Sequence, residues 1–304
     1  MSPPWMRQAE RGSPFLIQLI AHITLALGRP AGRLLLYPIT LYFVLFSRQA
    51  RRASRRFLGR ALGRPAALPD VFRHYHTFAA TILDRVYLLS GRQDYFDIGM
   101  HGEEALLDQL AAGRGCLLLG SHLGSFDVLR TLAEKRPEIR VRPLMYEGNA
   151  VKINTVLNAL NPRLAEQVIS IGEADGLLQV KEAIDRGEVV GMLGDRTVLD
   201  DKTVECRFFG QPCRLPAGPL LLAGLLGVPV VLFFGLYEGG RRYHVRFELL
   251  TPGIRLERDR RSQQAAEWTR QFARRLEHYC RQAPYNWFNF YDFWEEGDVE
   301  GGAL

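Results

Sequence analysis

The sequence predicts an α/β protein: a mixed, mainly parallel sheet flanked by helices, entered through an N-terminal helical arm that associates with a membrane. Three observations predict it. Short apolar runs beside glycines, such as Cys116 to Leu119 and Val228 to Phe234, alternate with stretches whose apolar residues recur every three or four positions. That alternation of strand and helix patterns argues for strands covered by helices. The third is charge: residues 1–70 hold 11 arginines, no lysine and only Glu10 and Asp70 as acids, so this stretch carries +9 of a chain whose net charge is +6.

The arm comes first in the chain. Phe15 to Leu27 is apolar apart from Gln18, His22 and Thr24, and Leu34 to Phe46 is apolar again. Gly28-Arg29-Pro30-Ala31-Gly32-Arg33 between them is expected to break the helix. As a helix each 13-residue run reaches roughly 20 Å, short of a bilayer core. Arg48, Arg51, Arg52, Arg55, Arg56, Arg60 and Arg64 follow with no acid among them, most of them on one helical face. This pattern fits an interfacial anchor meeting an anionic membrane surface. A spanning hairpin or helix, and a solvated basic helix packed on the core, are the alternatives; a cleaved signal peptide ranks below them, because the arginine cluster that follows would resist export. The boundary is expected at 66/67, with an arm over 1–66 and an α/β domain over 67–304.

The body is then justified element by element. Helical spacing covers Asp70 to Ser90, with Phe96 to Ile98 a short strand and Gly102 to Ala112 a helix. Strands are expected at 116–119, 141–145, 168–171, 189–193, 228–234 and 243–250. Helices are expected at 125–134, 151–160, 176–186, 219–226 and 262–281. With 47% apolar and 24% charged residues the composition is that of a globular protein, and no run of 18 apolar residues suggests a polytopic membrane protein. Cys116, Cys206, Cys213 and Cys280 form neither a disulfide framework nor a zinc pattern, and no metal or other cofactor is expected. Because the positive charge is confined to the arm, nucleic acid is not an expected partner.

The chemistry is expected where the first buried strand ends, in Gly120-Ser121-His122-Leu123-Gly124-Ser125-Phe126-Asp127. A turn from strand into helix is where an α/β sheet presents catalytic groups. His122 and Asp127 are about 140° apart on an ideal helix, so they meet only if His122 lies in the turn. Asp127 would then accept the Nδ1 proton and leave Nε2 as a base toward a hydroxyl. The bland alternative is a structural hydrogen-bonding pair. A serine hydrolase elbow does not fit, because the serine stands second in Gly-Ser-His-Leu-Gly.

At these residues the chain resembles the lysophospholipid acyltransferase superfamily, in the branch containing the late acyltransferases of lipid A synthesis. His122-x4-Asp127 is similar to that family's first block. Arg142-Pro143-Leu144, Gly194-Asp195-Arg196, Phe208-Phe209-Gly210, Pro216-Ala217-Gly218-Pro219 and Gly227-Val228-Pro229-Val230 follow the order of its later blocks, over roughly residues 15–294. The ending Pro284 to Trp294, with seven aromatics in 11 residues and no base, departs from the basic ending of the lipid A group. Together with Gly-Asp-Arg, it looks more like predicted acyltransferases of aryl-polyene and xanthomonadin-type pigment clusters. The ending either lines an acyl groove or closes the core.

The resemblance implies transfer of a fatty or aryl-polyene acyl group from a thioester on acyl carrier protein or coenzyme A to a hydroxyl of a lipid or glycolipid. It also implies a place on the cytoplasmic face of a bacterial inner membrane. His122 is the implied base and Asp127 its orienting acid. The backbone N–H groups of Gly124 and Ser125 are the expected donors to the thioester oxygen. Arg196, oriented by Asp195, is an expected phosphate clamp or else a salt bridge. Arg142 is an expected phosphate contact or else a surface residue. A thioesterase using the same pair, and a non-catalytic lipid-binding protein, are the rival readings.

Overall fold

The computed structural model describes residues 13–129, 136, 139–145, 160, 167–171, 175–197, 202–257 and 259–294. Its first helices are α1 (Pro14–Leu27), α2 (Arg29–Phe46), α3 (Arg48–Leu62) and α4 (Leu68–Leu89). Next come β1 (Asp97–His101), α5 (Glu104–Ala111), β2 (Cys116–Gly120), β3 (Val141–Met145), β4 (Ile169–Ser170), α6 (Gly176–Asp185) and β5 (Val189–Leu193). The chain continues through β6 (Thr203–Phe208), β7 (Gln211–Pro216), α7 (Gly218–Leu226), β8 (Val230–Gly239), β9 (Arg242–Thr251) and α8 (Arg261–Gln282). The expected helix at 151–160 lies outside the described residues except for Leu160, and the one at 125–134 is described only to Leu129.

Seven strands form one sheet in the order β1-β9-β8-β2-β5-β3-β4. Every neighbouring pair is parallel except β8 and β9. The expected mixed, mainly parallel sheet is therefore present. β2 lies in the middle and is buried along its whole length, which is why it reads as an unbroken apolar run. Its side chains alternate between two cores: Leu117 and Leu119 pack with residues of α6, α7 and α8, while Cys116 and Leu118 pack with residues of α4 and α5.

β6 and β7 form a separate hairpin that the sequence reading left out. Phe208 pairs with Gln211 across a two-residue turn, Phe209-Gly210, in which both residues have positive φ. Such turns match the twist of a hairpin, and Glu277 accepts the Phe209 N–H at 2.5 Å to hold the strained position.

The arm is a layer of this structure. α2 follows α1 after a single break at Gly28 (φ 90°), so the expected break over 28–33 is shorter than anticipated. Pro30 falls in the first turn of α2, where a missing N–H costs no helical bond. Arg29, Gly32, Leu36, Thr40 and Val44 make the buried face of α2. A Cβ on Gly32 would meet Thr24 Oγ1 at 2.2 Å, so glycine allows α1 and α2 to pack closely. Arg29 forms a buried ion pair with Asp84 of α4 (Nε to Oδ1 2.6 Å), and the Tyr243 hydroxyl of β9 also donates to Asp84 at 2.8 Å. α3 turns 97° from α2 and contributes Phe57 and Leu58 to the main core.

The other side of the arm is apolar and uncovered. Phe15, Leu16, Leu19 and Leu27 on α1, and Leu34, Tyr37, Leu41, Tyr42, Leu45 and Phe46 on α2, are exposed. No single helix among the described residues is long and apolar enough to cross a membrane. The arginines of α3, and Arg64 just after it, do not form one free face. Arg51 donates to the Leu45 carbonyl (3.0 Å), Arg56 pairs with Asp292, the Arg60 guanidinium lies 4.1 Å from the Trp294 ring centre, and Arg64 pairs with Asp70. Arg48, Arg52 and Arg55 remain solvent-exposed.

His74 ties three layers together. It is fully buried on α4, faces Ser54 Oγ of α3 at 2.8 Å through Nδ1, and donates from Nε2 to the Trp287 carbonyl at 2.8 Å. Burial lowers its pKa to about 4, with the bond to Trp287 opposing. The unfolded chain takes up this proton near the ordinary value of 6.5, before the folded chain does. Stability held above pH 6.5 is thus lost as the pH falls toward 4, by up to about 3 kcal/mol from this group. Urea unfolding at pH 7, 5.5 and 4.5 should show this loss in the wild type and a smaller one in His74→Gln. Parallel pH dependence in the two proteins would count against it.

Candidate active site

β2 and β5 are parallel neighbours, and Gly120 pairs with Leu193. Two residues beyond that pair stand His122 on one strand and Asp195 on the other. Register therefore brings together groups 73 positions apart in sequence. His122 Nδ1 lies 2.8 Å from Asp195 Oδ1. The His122 backbone N–H also donates to the same carboxylate, at 3.1 Å to Oδ1 and 3.0 Å to Oδ2. With Nδ1–H donating to Asp195, the imidazole is the tautomer whose Nε2 lone pair is unprotonated. The Asp195 side chain is wholly buried, whereas 27% of the His122 side chain is exposed.

The C-terminal segment completes the surroundings of the carboxylate. Trp287 Nε1 donates to Asp195 Oδ2 at 2.9 Å and Asn289 Nδ2 donates to the same oxygen at 3.1 Å. Arg196 Nε donates to Asn289 Oδ1 at 2.8 Å, and Arg196 Nη2 to the Phe288 carbonyl at 3.0 Å. Leu123 and Trp287 form an antiparallel bridge, flanked by Gly124 N–H to the Asn286 carbonyl and Phe288 N–H to the His122 carbonyl, both 2.8 Å. The aromatic ending thus closes the core with Trp287, Tyr291, Phe293 and Trp294, and reaches the carboxylate through Trp287.

Electrostatics follow from these neighbours. Burial lowers the His122 pKa, the Arg196 charge lowers it further, and Asp195 opposes both. His122 is accordingly neutral near pH 7. Burial alone would raise the Asp195 carboxyl, but the hydrogen bonds from His122 and the charge of Arg196 hold it below the ordinary value and ionised. A neutral imidazole beside a buried carboxylate is equipped to accept a proton at Nε2.

Several expectations are corrected here. The carboxylate on Nδ1 is Asp195, where the sequence pointed to Asp127. Asp127 Oδ2 instead lies 2.6 Å from Arg85 Nε of α4. It opens the helix after the loop, where an acid is favoured, and this ties α4 to the loop. The amides of Gly124 and Ser125 are committed to the carbonyls of Asn286 and Gly235, each at 2.8 Å, so they are not positioned to receive a thioester oxygen. Gly124 has φ 76°, and a Cβ there would meet the Gly235 carbonyl at 1.9 Å; its role is close approach to β8. Asp195 orients His122, and the Arg196 Nε and Nη2 donors go to the C-terminal segment.

Arg142 lies on β3 opposite Val190, which pairs with Leu117. It therefore sits about 10 Å of strand before Gly120. Its Nε donates to the Gln167 carbonyl at 2.9 Å and its Nη1 is 4.0 Å from Glu188, a surface role away from His122.

Trp287 and Asn289 are site residues that the sequence reading did not assign, and Asp195 was given another task. One signal existed for Asp195: a Gly-Asp follows one buried apolar run, as Gly-Ser-His follows another. The C-terminal residues carried no such signal.

A histidine and an acid thus meet at the carboxyl ends of two adjacent parallel strands, the place where α/β sheets commonly bind ligands. Residues 11–296 match the family model for bacterial lipid A biosynthesis acyltransferases, and the chain belongs to that family. It is therefore an acyltransferase. No curated protein matches the chain.

The geometry separates the two acids by a measurement that needs no substrate. Nitrogen-15 NMR titration of His122 should move to lower pH in Asp195→Asn, because the charge that opposes burial is gone. It should stay near the wild-type position in Asp127→Asn. A larger shift from Asp127→Asn would restore the pairing expected from spacing.

Proposed function

We propose that the protein transfers an acyl group from a thioester to a hydroxyl of a lipid or glycolipid, with His122 as general base and Asp195 as its orienting partner. The observation that carries this reading is the 2.8 Å contact between His122 Nδ1 and Asp195, which leaves Nε2 for the acceptor. Family membership supplies the class of reaction. The acceptor hydroxyl gives its proton to Nε2 as its oxygen attacks the thioester carbonyl. Collapse of the tetrahedral intermediate breaks the carbon–sulfur bond, and the leaving thiolate takes the proton back from His122. The products are an ester and a free thiol, with no acyl-enzyme.

The donor is the thioester of acyl carrier protein or coenzyme A, and the acyl group is fatty or aryl-polyene. Neither protein nor nucleotide carrier is favoured by the site itself. The aryl-polyene option rests on the resemblance of the aromatic, base-free ending to pigment-cluster acyltransferases, not on a contact of that ending with an acyl group. Purified enzyme should convert acyl carrier protein thioesters only with an acceptor alcohol present, and His122→Ala should lower the rate by about 10²- to 10⁴-fold with the fold intact. Free acid released at the same rate with or without acceptor would replace transfer by thioester hydrolysis. A fully active His122→Ala enzyme would remove the base from the mechanism.

The arm supports action at a membrane surface, and the resemblance implies the cytoplasmic face of an inner membrane. Its uncovered apolar face on α1 and α2 adjoins Arg48, Arg52 and Arg55, a combination suited to one leaflet of anionic lipid. Deleting the arm would also strip Phe57, Leu58 and Arg29 from the interior, so substitutions on its outer face are the cleaner probe. Leu34→Gln, Leu41→Gln and Leu45→Gln together should weaken sedimentation with phosphatidylglycerol-containing vesicles by at least about tenfold. Added salt should weaken wild-type binding. Equal sedimentation of the triple variant and the wild type would overturn membrane docking by this face.

A further inference from the structure

We propose that Trp287 and Asn289 are positioning residues for acyl transfer, holding the Asp195 carboxylate so that it fixes the tautomer and restrains the basicity of His122. The inference rests on the reading of His122 as the base. Its ground is how fully the carboxylate is held. Oδ2 accepts from the His122 backbone, Trp287 Nε1 and Asn289 Nδ2 at 3.0, 2.9 and 3.1 Å, while Oδ1 takes the imidazole at 2.8 Å. The His122 N–H is shared with Oδ1 at 3.1 Å, so four donors meet a carboxylate that offers about four lone-pair sites. The group cannot rotate without breaking several charge-assisted bonds inside the protein.

The two donors are themselves immobilised. Trp287 is fully buried, with ring centres of Phe293, Phe57 and Phe208 at 4.8, 4.9 and 5.1 Å. The Asn289 amide is oriented because Arg196 donates to its oxygen, leaving its NH₂ for Asp195. The same short segment pairs with the backbone around His122 through the Leu123–Trp287 bridge. One piece of chain therefore braces both members of the pair. Trp294 offers the contrast: it belongs to the same aromatic cluster, but its N–H goes to the Phe208 carbonyl at 3.2 Å.

The chemical effect has a sign. Neutral donors spread the charge of Asp195 and leave less of it on the Nδ1–H bond. Deleting the Trp287 donor concentrates that charge, stabilises the imidazolium and raises the pH at which His122 titrates. It also loosens the carboxylate, which slows proton transfer without changing substrate binding.

The experiment is nitrogen-15 NMR titration of His122 in the full-length chain, alongside steady-state kinetics, for Trp287→Phe, Asn289→Leu and Trp294→Phe. Expected for folded Trp287→Phe are titration at higher pH than wild type and a fall in kcat of about tenfold, with KM within about twofold. Trp294→Phe should lower the melting temperature yet titrate with the wild type. Wild-type titration in folded Trp287→Phe, or an equal shift in Trp294→Phe, overturns the proposal. Should Trp287→Phe fail to fold, Asn289→Leu decides: displaced titration supports the role and unchanged titration overturns it. Because the titration needs no substrate, a shift in a protein with no acyl-transfer activity sinks the functional reading alone. No shift in an active enzyme sinks the positioning role alone.

Discussion

The ionised, wholly buried carboxylate of Asp195 is the constraint around which this structure is arranged. A carboxylate taken out of water without partners is prohibitively unstable, so its position demands donors. They come from two distant parts of the chain: the loop after β2 and the C-terminal segment. Each must arrive in register for the charge to be tolerated. The sheet, the C-terminal segment and the imidazole therefore meet at one carboxylate.

That dependence explains the aromatic ending. Trp287 is large enough to exclude water from Asp195 and polar enough at one atom to compensate for doing so. Around it, Phe57 of α3, Phe208 of the hairpin and Phe293 complete a dry wall. The hairpin is held from outside by Glu277 at its strained turn. Elements that look peripheral in the chain order thus enclose the centre.

The arm likewise belongs to the folded body. Its inner face is joined to α4 and β9 by the Arg29–Asp84–Tyr243 cluster, and to the C-terminal segment through Ser54, His74 and the Trp287 carbonyl. Its outer face is left apolar. One helix layer therefore connects an exposed apolar surface with the segment that contacts Asp195. A basic run of which the sequence placed most on one helical face is divided here: Arg51, Arg56, Arg60 and Arg64 contact the protein, while Arg48, Arg52 and Arg55 face outward.

Much of the architecture was legible in the residues. Central strands such as β2 and β8 are covered on both faces, so they must be apolar throughout, and helices such as α4 and α8 are covered on one, so their apolar residues recur at helical spacing. The turn carrying His122 was legible for the same reason: glycines and a histidine stand where a buried strand has to end. The hairpin at 203–216 was missed although Thr203 to Phe208 alternates exposed and buried residues without a break, because it stands outside the main sheet in a stretch read as a polar loop and family blocks. The partner of His122 was misread because spacing along the chain describes only local neighbours. Asp127 is five residues away and points to Arg85; Asp195 is 73 away and adjacent in space. By itself, the sequence determined the class of fold, the apolar and basic arm, and the histidine at the end of β2. Only the tertiary structure decided which carboxylate it meets, which amides are already spent and where the last aromatics go, because strand order and register are set by packing between segments that no local pattern connects.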